Sequence, residues 1–180
     1  MPPFQRQNVL RDGRDLCIRE AVESDAEAIV EHCERVGGET DFLGFGIAQF
    51  GITVDEERVF LREHPLKGNV MLVSLVEDSV VAVSNVTRMS LRDRLMHVGS
   101  LGISVQKVFW RLGVATHTMR ALVEWSKGAG LRKLNLEVSV ENTAAIGLYQ
   151  KVGFEHEGRN RRGFQLNDQL IDTLWMGMLL

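Results

Sequence analysis

The stretch that decides the fold reads Gly102-Ile103-Ser104-Val105-Gln106-Lys107-Val108-Phe109-Trp110-Arg111-Leu112-Gly113-Val114-Ala115-Thr116. Its first residues predict the end of a strand, and the apolar spacing from Leu112 onward predicts a helix. Two small residues, Gly113 and Ala115, stand where the helix begins. Backbone N–H groups at a helix N-terminus lack internal partners and lie at the positive end of the dipole, so they suit a phosphate or pyrophosphate. Close packing of a helix on a sheet requires the same small residues. At this point the two small residues are therefore compatible with an anion-binding site and with simple helix packing.

The segments on either side predict alternating strands and helices in the order βααβββαβαββ. Two capping boxes, Ser24 to Glu27 and Thr53 to Glu56, mark the starts of the first two helices. The polar residues 1–14, with two prolines, predict an N-terminal arm. The predicted elements are a strand at 16–21, a helix at 25–36, a helix from 53 that ends before 65, strands at 69–77, 80–89 and about 97–105, a helix from 112 to 128, a strand at 133–139, a helix at 141–152, and two strands around 165–169. This order predicts one α+β domain over residues 1–180, with helices covering a central sheet.

Composition excludes several classes of protein. The 180 residues carry a formal net charge of -3, so neither nucleic acid nor an anionic membrane is an expected partner. No run approaches eighteen apolar residues and the first six residues lack an apolar signal core, which predicts a cytoplasmic protein. Cys17 and Cys33 have no CxxC spacing and no nearby histidine grouping, so we expect two buried thiols and no metal site.

A second motif, Asn142-Thr143-Ala144-Ala145-Ile146-Gly147-Leu148-Tyr149-Gln150-Lys151-Val152-Gly153-Phe154, changes the weight of the first. With both motifs and this order of elements, the chain from about residue 15 onward strongly resembles the GNAT superfamily of N-acetyltransferases. The loop motif of that family, Gln/Arg-x-x-Gly-x-Gly/Ala, aligns with Trp110 to Ala115. Trp110 stands where the family usually has Gln or Arg. The resemblance therefore implies a backbone cradle for pyrophosphate but not the usual basic side chain.

The resemblance implies an α/β sandwich whose mixed, mostly antiparallel sheet contains a splayed parallel pair, with acetyl-CoA as cosubstrate. The strand that ends at 103–105 would splay from the strand at 133–139, and the pantetheine arm would lie in the opening. Asn142 would bind this arm, or serve as an N-cap, and one amide can do both. The implied cofactor-binding residues are Ile103, Ser104, Val105, Arg111, Leu112, Gly113, Val114, Ala115, Thr116 and Asn142.

The resemblance also implies catalytic roles. Tyr149, the sole tyrosine, would act as general acid toward the departing thiol, against the alternative of a packed aromatic. An attacking amine must lose a proton, and the sequence leaves the base open. The family often places a glutamate on the strand before the loop, where this chain has none. Glu137, acting through water, and His97 are the two candidates, each of which is equally compatible with an ordinary strand residue.

The predicted function is transfer of an acetyl group to a primary amine by direct attack in a ternary complex; the alternative is a non-catalytic acyl-CoA-binding module. A Rossmann-type nucleotide site is disfavoured because the glycine loop follows an antiparallel meander. The acceptor, a small-molecule amine or a protein N-terminus, would lie near residues 39–42 and 164–172, where Glu39 and Asp41 could receive a cation. The basic run 159–162 predicts a solvated strand end or a contact to the CoA phosphate. The apolar strand 174–180 either completes the sheet or pairs across a homodimer.

Overall fold

The computed structural model describes residues 3–180, and Met1 and Pro2 lie outside the described residues. Its strands form one eight-stranded sheet in the order β1-β2-β3-β4-β5-β6-β8-β7. Every neighbouring pair is antiparallel except β5 and β6, which run parallel. The elements are β1 (Gln5–Val9), β2 (Asp15–Glu20), α1 (Ala26–Gly37), α2 (Val54–Glu63), β3 (Val70–Val76), β4 (Ser79–Arg88), β5 (Val98–Val105), α3 (Val114–Gly128), β6 (Lys133–Ser139), α4 (Thr143–Val152), β7 (Glu155–Leu166) and β8 (Gln169–Leu179). The predicted α+β fold with a mixed sheet is confirmed.

Two apolar clusters hold the helices against the sheet. On one face, α3 and α4 pack on the strands through a large cluster that includes Met119 and Leu122 of α3 and Leu134 and Leu136 of β6. On the other face, α1 and α2 pack through a smaller cluster whose strand residues come from β3 and β4. The second half of the sheet, β6, β8 and β7, contributes nothing to this smaller cluster.

The N-terminal arm contains a strand that the sequence did not predict. β1 pairs with β2 along its whole length, from Gln5 opposite Arg19 to Val9 opposite Asp15. Its sequence, Gln-Arg-Gln-Asn-Val, is mostly exposed because β1 lies at the edge of the sheet. A polar edge strand lacks the apolar alternation by which strands are recognised.

Of the two predicted capping boxes, one forms and the other does not. The capping box at α2 is confirmed, since the Thr53 hydroxyl accepts from the Glu56 N–H and the Glu56 carboxylate accepts from the Thr53 N–H. The one predicted at Ser24 to Glu27 does not form. Asp25 instead accepts from the Val22 N–H and pairs with Arg19 at 2.7 Å. The carboxylate that caps this turn is therefore that of Asp25, on the Val22 N–H, and Arg19 binds the same carboxylate.

The C-terminal strand β8 lies inside the sheet, with β6 on one edge and β7 on the other. Both edges are therefore paired, so this strand completes the sheet, contrary to the alternative that it pairs with the same strand of a second copy. Among residues 3–180, no helix is long and apolar enough to cross a membrane.

Candidate active site

The parallel strands β5 and β6 separate after three residue pairs. Val98, Gly99 and Ser100 pair with Lys133, Leu134 and Asn135, and no pair follows. Beyond that point β5 stays paired with β4 as far as Val105, and β6 stays paired with β8 as far as Ser139. Each strand is held by its outer neighbour, so a gap opens between residues 101–105 and 136–139. We call this gap the opening, and it confirms the predicted splayed pair.

The backbone groups that line the opening follow from the ladder between β4 and β5. Gln106 N donates to Val81 O at 3.0 Å, so even-numbered residues of β5 bond to β4 and odd-numbered ones point into the opening. Ile103 thus presents its N–H and C=O to the opening. The carbonyl of Val105 already accepts from the indole Nε1 of Trp110 at 2.8 Å. Of the strand positions predicted to bind through their backbone, Ile103 is the one with both groups available.

Side chains on the two arms of the opening divide by face. One set is apolar and belongs to the cluster under α3 and α4; its members are Leu101, Ile103, Val105, Leu136 and Val138. The opposite set is small or polar because side chains alternate along a strand; its members are Ser100, Gly102, Ser104, Asn135, Glu137 and Ser139. Ser104 accordingly does not point with Ile103, but lies toward α1. The opening therefore has one apolar and one polar side.

The loop before α3 is arranged as an anion cradle. Two residues of this loop have positive φ angles, Arg111 at +63° and Gly113 at +103°. Glycine adopts such an angle without strain, which explains the glycine at position 113. The carbonyls of Arg111 and Leu112 accept from the Nη1 and the backbone N–H of Arg11, at 3.0 and 3.1 Å. Because a trans peptide points its N–H opposite its C=O, the N–H groups of Leu112 and Gly113 face away from Arg11. They join the free N–H groups of the first turn of α3, at residues 114–116.

The helix α4 carries the second motif. The Asn142 side chain caps it, with Oδ1 accepting from the Ala145 N–H at 3.1 Å, and the Asn142 amide Nδ2 is left over for a further contact. Tyr149 is 9% exposed and packs in the apolar cluster on that side of the opening. Burial raises the pKa of Tyr149 to about 12, so its hydroxyl keeps its proton at neutral pH.

The structure separates the two candidate bases. Glu137 lies on the polar side of the opening, exposed, and its Oε1 accepts from the Thr173 hydroxyl and from Asn160 Nδ2 at 3.1 Å. His97 precedes β5 at the closed end of the pair, where its carbonyl accepts from the N–H groups of residues 132 and 133. Six residues of strand, roughly 20 Å, separate it from Ile103. Glu137 is brought to the opening and His97 is not.

Of the two carboxylates predicted to receive the acceptor, Glu39 has another contact, and so do neighbouring residues of the same loop and of the basic run. The Glu39 carboxylate accepts from the Lys107 N–H at 2.6 Å, which ties the loop after α1 to the loop after β5. Phe45 packs against Phe50 with ring centroids 5.2 Å apart. Arg159 of the basic run pairs with Asp172 at 2.7 Å. These side chains hold the walls of the site together.

One contact at the opening escaped the sequence analysis. His32 of α1 is 1% exposed, and its Nε2 lies 2.9 Å from the Ser104 hydroxyl. Burial, with a smaller contribution from Arg35, lowers the pKa of His32 to about 4, and its Nδ1 has no partner among residues 3–180. The available signal was that His32 falls between Ile29 and Val36 on the apolar stripe of α1. Among all the described residues, 3–180, no group of three or more His, Cys, Asp or Glu residues is arranged to hold a metal ion.

Comparisons with known proteins agree with this geometry. Residues 49–154 match the family model described as the Acetyltransferase (GNAT) family. The L-amino acid N-acetyltransferase AaaT of Escherichia coli (strain K12) is 31% identical over 113 residues, which are 61% of this chain and 67% of that protein. The acetyltransferase of GNAT family from Streptococcus pneumoniae superposes with a TM-score of 0.87 at 33% identity, over 92% of this chain and 99% of that one. yncA from Salmonella typhimurium, a putative acetyltransferase solved with its cofactor acetyl-CoA, has a TM-score of 0.82 at 18% identity, over 92% and 94% of the two chains.

Proposed function

The chain belongs to the GNAT acetyltransferase family, and from this premise we propose that it transfers the acetyl group of acetyl-CoA to a primary amine by direct attack in a ternary complex. The observation that carries the proposal is the opening between β5 and β6, with unpaired backbone groups along one strand and an anion cradle at its end. An elongated ligand with a peptide-like arm and a pyrophosphate fits this combination. The similar yncA structure contains acetyl-CoA, which supports the same choice.

The cosubstrate would be held mainly by the backbone. Ile103 would pair with the pantetheine arm, and the amide of Asn142 would donate to it while its oxygen caps α4. The N–H groups of residues 112–116 would bind the pyrophosphate. Arg11 supports this cradle by fixing the two carbonyls on its far side. When bound, acetyl-CoA supplies the acetyl group as a thioester.

Tyr149 would act as the general acid. Its hydroxyl is protonated at neutral pH because burial raises the pKa of the side chain to about 12. A proton held on the apolar side of the opening can be delivered to the departing sulfur as negative charge develops there. The hydroxyl loses its water contacts on burial, so this hydrogen bond is made in a site of low dielectric.

Glu137 would take the proton of the amine, directly or through water. An alkylamine has a pKa of about 10.4 and is an ammonium ion at neutral pH, so it must be deprotonated before it attacks. β5 carries no carboxylate, but Glu137 on β6 borders the same opening from its polar side. Acid and base would therefore act from opposite faces of the sheet.

Direct attack is favoured over an acyl-enzyme. Burial raises the pKa of the Cys33 thiol to about 12, which disfavours the nucleophilic thiolate. The pair of His32 and Ser104 lacks the third group of a triad, since Nδ1 of His32 has no partner among the described residues. Burial also lowers the pKa of His32, so this ring is a weak proton acceptor.

Two measurements test this proposal: calorimetry of acetyl-CoA binding, and acetyl-CoA consumption in the presence of amines. We expect Gly113→Glu to weaken acetyl-CoA binding at least 100-fold, because the side chain places a carboxylate in the cradle at φ +103°. Gly128→Glu is the matched control, since a Cβ there meets nothing within 4 Å. Unchanged affinity of Gly113→Glu would refute the cradle.

Acetyl-CoA consumption is then measured with amines, beginning with L-amino acids, the acceptors in the name of the Escherichia coli relative. Binding without turnover of any amine would leave the non-catalytic alternative.

A further inference from the structure

The polar side of the opening continues into a half of the sheet that the helices of that side leave uncovered. The cluster beneath α1 and α2 takes its strand residues from β3 and β4. Beyond the opening, the same face of β8 carries Trp175, whose side chain is 44% exposed in the interior of the sheet. A tryptophan on a central strand is usually buried, so an exposed one beside a catalytic opening suggests a ligand contact.

Trp175 stands directly beside Glu137. The two residues are register partners on the antiparallel strands β6 and β8, so their side chains leave the same face with Cβ atoms about 5 Å apart. Across the opening, the register of β5 brings Gly102 to the level of Glu137. Gly102 has no side chain, and a Cβ there would come within 3.0 Å of the Asn85 amide oxygen. Gly102 therefore adds no side chain between Glu137 and β5, and the Asn85 amide borders this space.

The Glu137 carboxylate is held in place without a counter-ion. Its two side-chain donors, Thr173 and Asn160, are neutral, and they occupy one oxygen, Oε1. None of the ion pairs found within residues 3–180 includes Glu137. Of the basic residues on β6 and β7, Lys133 and Arg159 are paired with Glu157 and Asp172, whereas Arg161 and Arg162 take part in no ion pair found within residues 3–180. A fixed, uncompensated carboxylate beside an indole ring has the two groups that bind an organic cation.

We propose that Glu137 and Trp175 form the acceptor subsite, and that its ligands are primary alkylamines that carry an apolar group and no carboxylate next to the amine. The ammonium group binds the free oxygen of Glu137, and the alkyl or aromatic portion of the amine lies against the indole. An α-amino acid brings its own carboxylate beside the ammonium group, where it repels the Glu137 carboxylate. This inference rests on the proposed function and names its acceptor class.

The test compares 2-phenylethylamine with phenylalanine, which differ only in the carboxylate. We expect kcat/KM for acetylation of 2-phenylethylamine to exceed that for phenylalanine at least 10-fold. Trp175→Leu should raise KM for 2-phenylethylamine by about 2- to 12-fold with little change in kcat, the range that contacts between aromatic rings span. Trp175→Phe should restore part of the loss. Leu179→Ala, an exposed residue at the far end of β8, is the matched control and should behave as wild type.

A second readout does not depend on catalysis. The ion (2-phenylethyl)trimethylammonium cannot be acetylated, and calorimetry should show that it binds the wild type and Leu179→Ala equally. Glu137→Gln and Trp175→Leu should each weaken its binding, with folding verified by circular dichroism. If both variants bind it as the wild type does, or if phenylalanine is the better acceptor, the subsite is refuted while acetyl transfer stands. If the wild type acetylates no amine but binds this ion through both residues, the proposed catalysis fails and the cation site stands.

Discussion

The contact between α1 and the opening makes the stability of the fold depend on pH. His32 is buried, and burial lowers its pKa from 6.5 to about 4. Below pH 6.5 the unfolded chain binds a proton that the folded chain does not bind until about pH 4. The free energy of unfolding is therefore highest above pH 6.5, falls as the pH drops toward 4, and falls no further below that because of this group.

The magnitude follows from the two pKa values. Their difference of about 2.5 pH units, at about 1.4 kcal/mol per unit, gives about 3 kcal/mol over the whole range. Between pH 7.5 and pH 4.5, where only about a quarter of the folded form is protonated, linkage gives about 2 to 3 kcal/mol. Domains of this size unfold with about 5–15 kcal/mol, so the loss is readily measurable.

Urea unfolding at several pH values between 7.5 and 4.5 measures this loss in the wild type and in His32→Gln. Glutamine keeps a polar partner for Ser104 but does not titrate, so the pH dependence of the variant should be shallower by about 2 to 3 kcal/mol. Burial also lowers the pKa of His64, so His64→Asn should make the pH dependence shallower as well, and the two variants separate the contributions of the two histidines. Parallel curves for the wild type and His32→Gln would show that His32 is protonated in the folded state, and would refute the reasoning.

The other predictions concern the second motif. Tyr149→Phe should lower kcat about 100-fold or more, the usual contribution of a general acid, while calorimetric affinity for acetyl-CoA stays within a factor of two; a wild-type kcat would remove Tyr149 as the acid. Asn142→Ala should cost about 1 kcal/mol in urea unfolding, because α4 loses its cap, and should also weaken acetyl-CoA binding. Asn142→Asp keeps the capping oxygen but loses the amide donor, so it should retain stability and still bind acetyl-CoA more weakly. If it binds as tightly as the wild type, Asn142 serves only as a cap.

The success of the sequence in predicting each element depended on how much of that element is buried. β6 begins and ends at the predicted residues, because Lys-Leu-Asn-Leu-Glu-Val-Ser alternates between a packed and an open face. β1 lies at a polar edge, where its pairing with β2 leaves no such pattern. Asp25 shows a limit for caps, since it caps the Val22 N–H while also pairing with Arg19, and the sequence spacing of the predicted box indicated neither contact.

Within the site, local signals predicted the glycine turn that begins α3 and the Asn142 cap, but they did not predict contacts between distant segments. Arg11 supports the Arg111 carbonyl from one hundred positions away, and no pattern in either segment indicates this. The partnership of Glu137 with Trp175 depends on the register between β6 and β8, which the chain sets through a long hairpin containing irregular pairing. A shift of one residue would place Trp175 on the apolar face.

The same register explains how a carboxylate on β6 can serve a family that often carries one on β5. Both strands border the opening, and alternation brings Ser100, Gly102 and Glu137 to one side of it. The two β5 residues are small, so neither blocks the approach of a ligand to Glu137. Thr173 and Asn160, from β8 and β7, fix the carboxylate from behind. Thr173 and Trp175 both belong to β8, so in the proposed site a base at Glu137 would couple proton transfer to recognition of the amine.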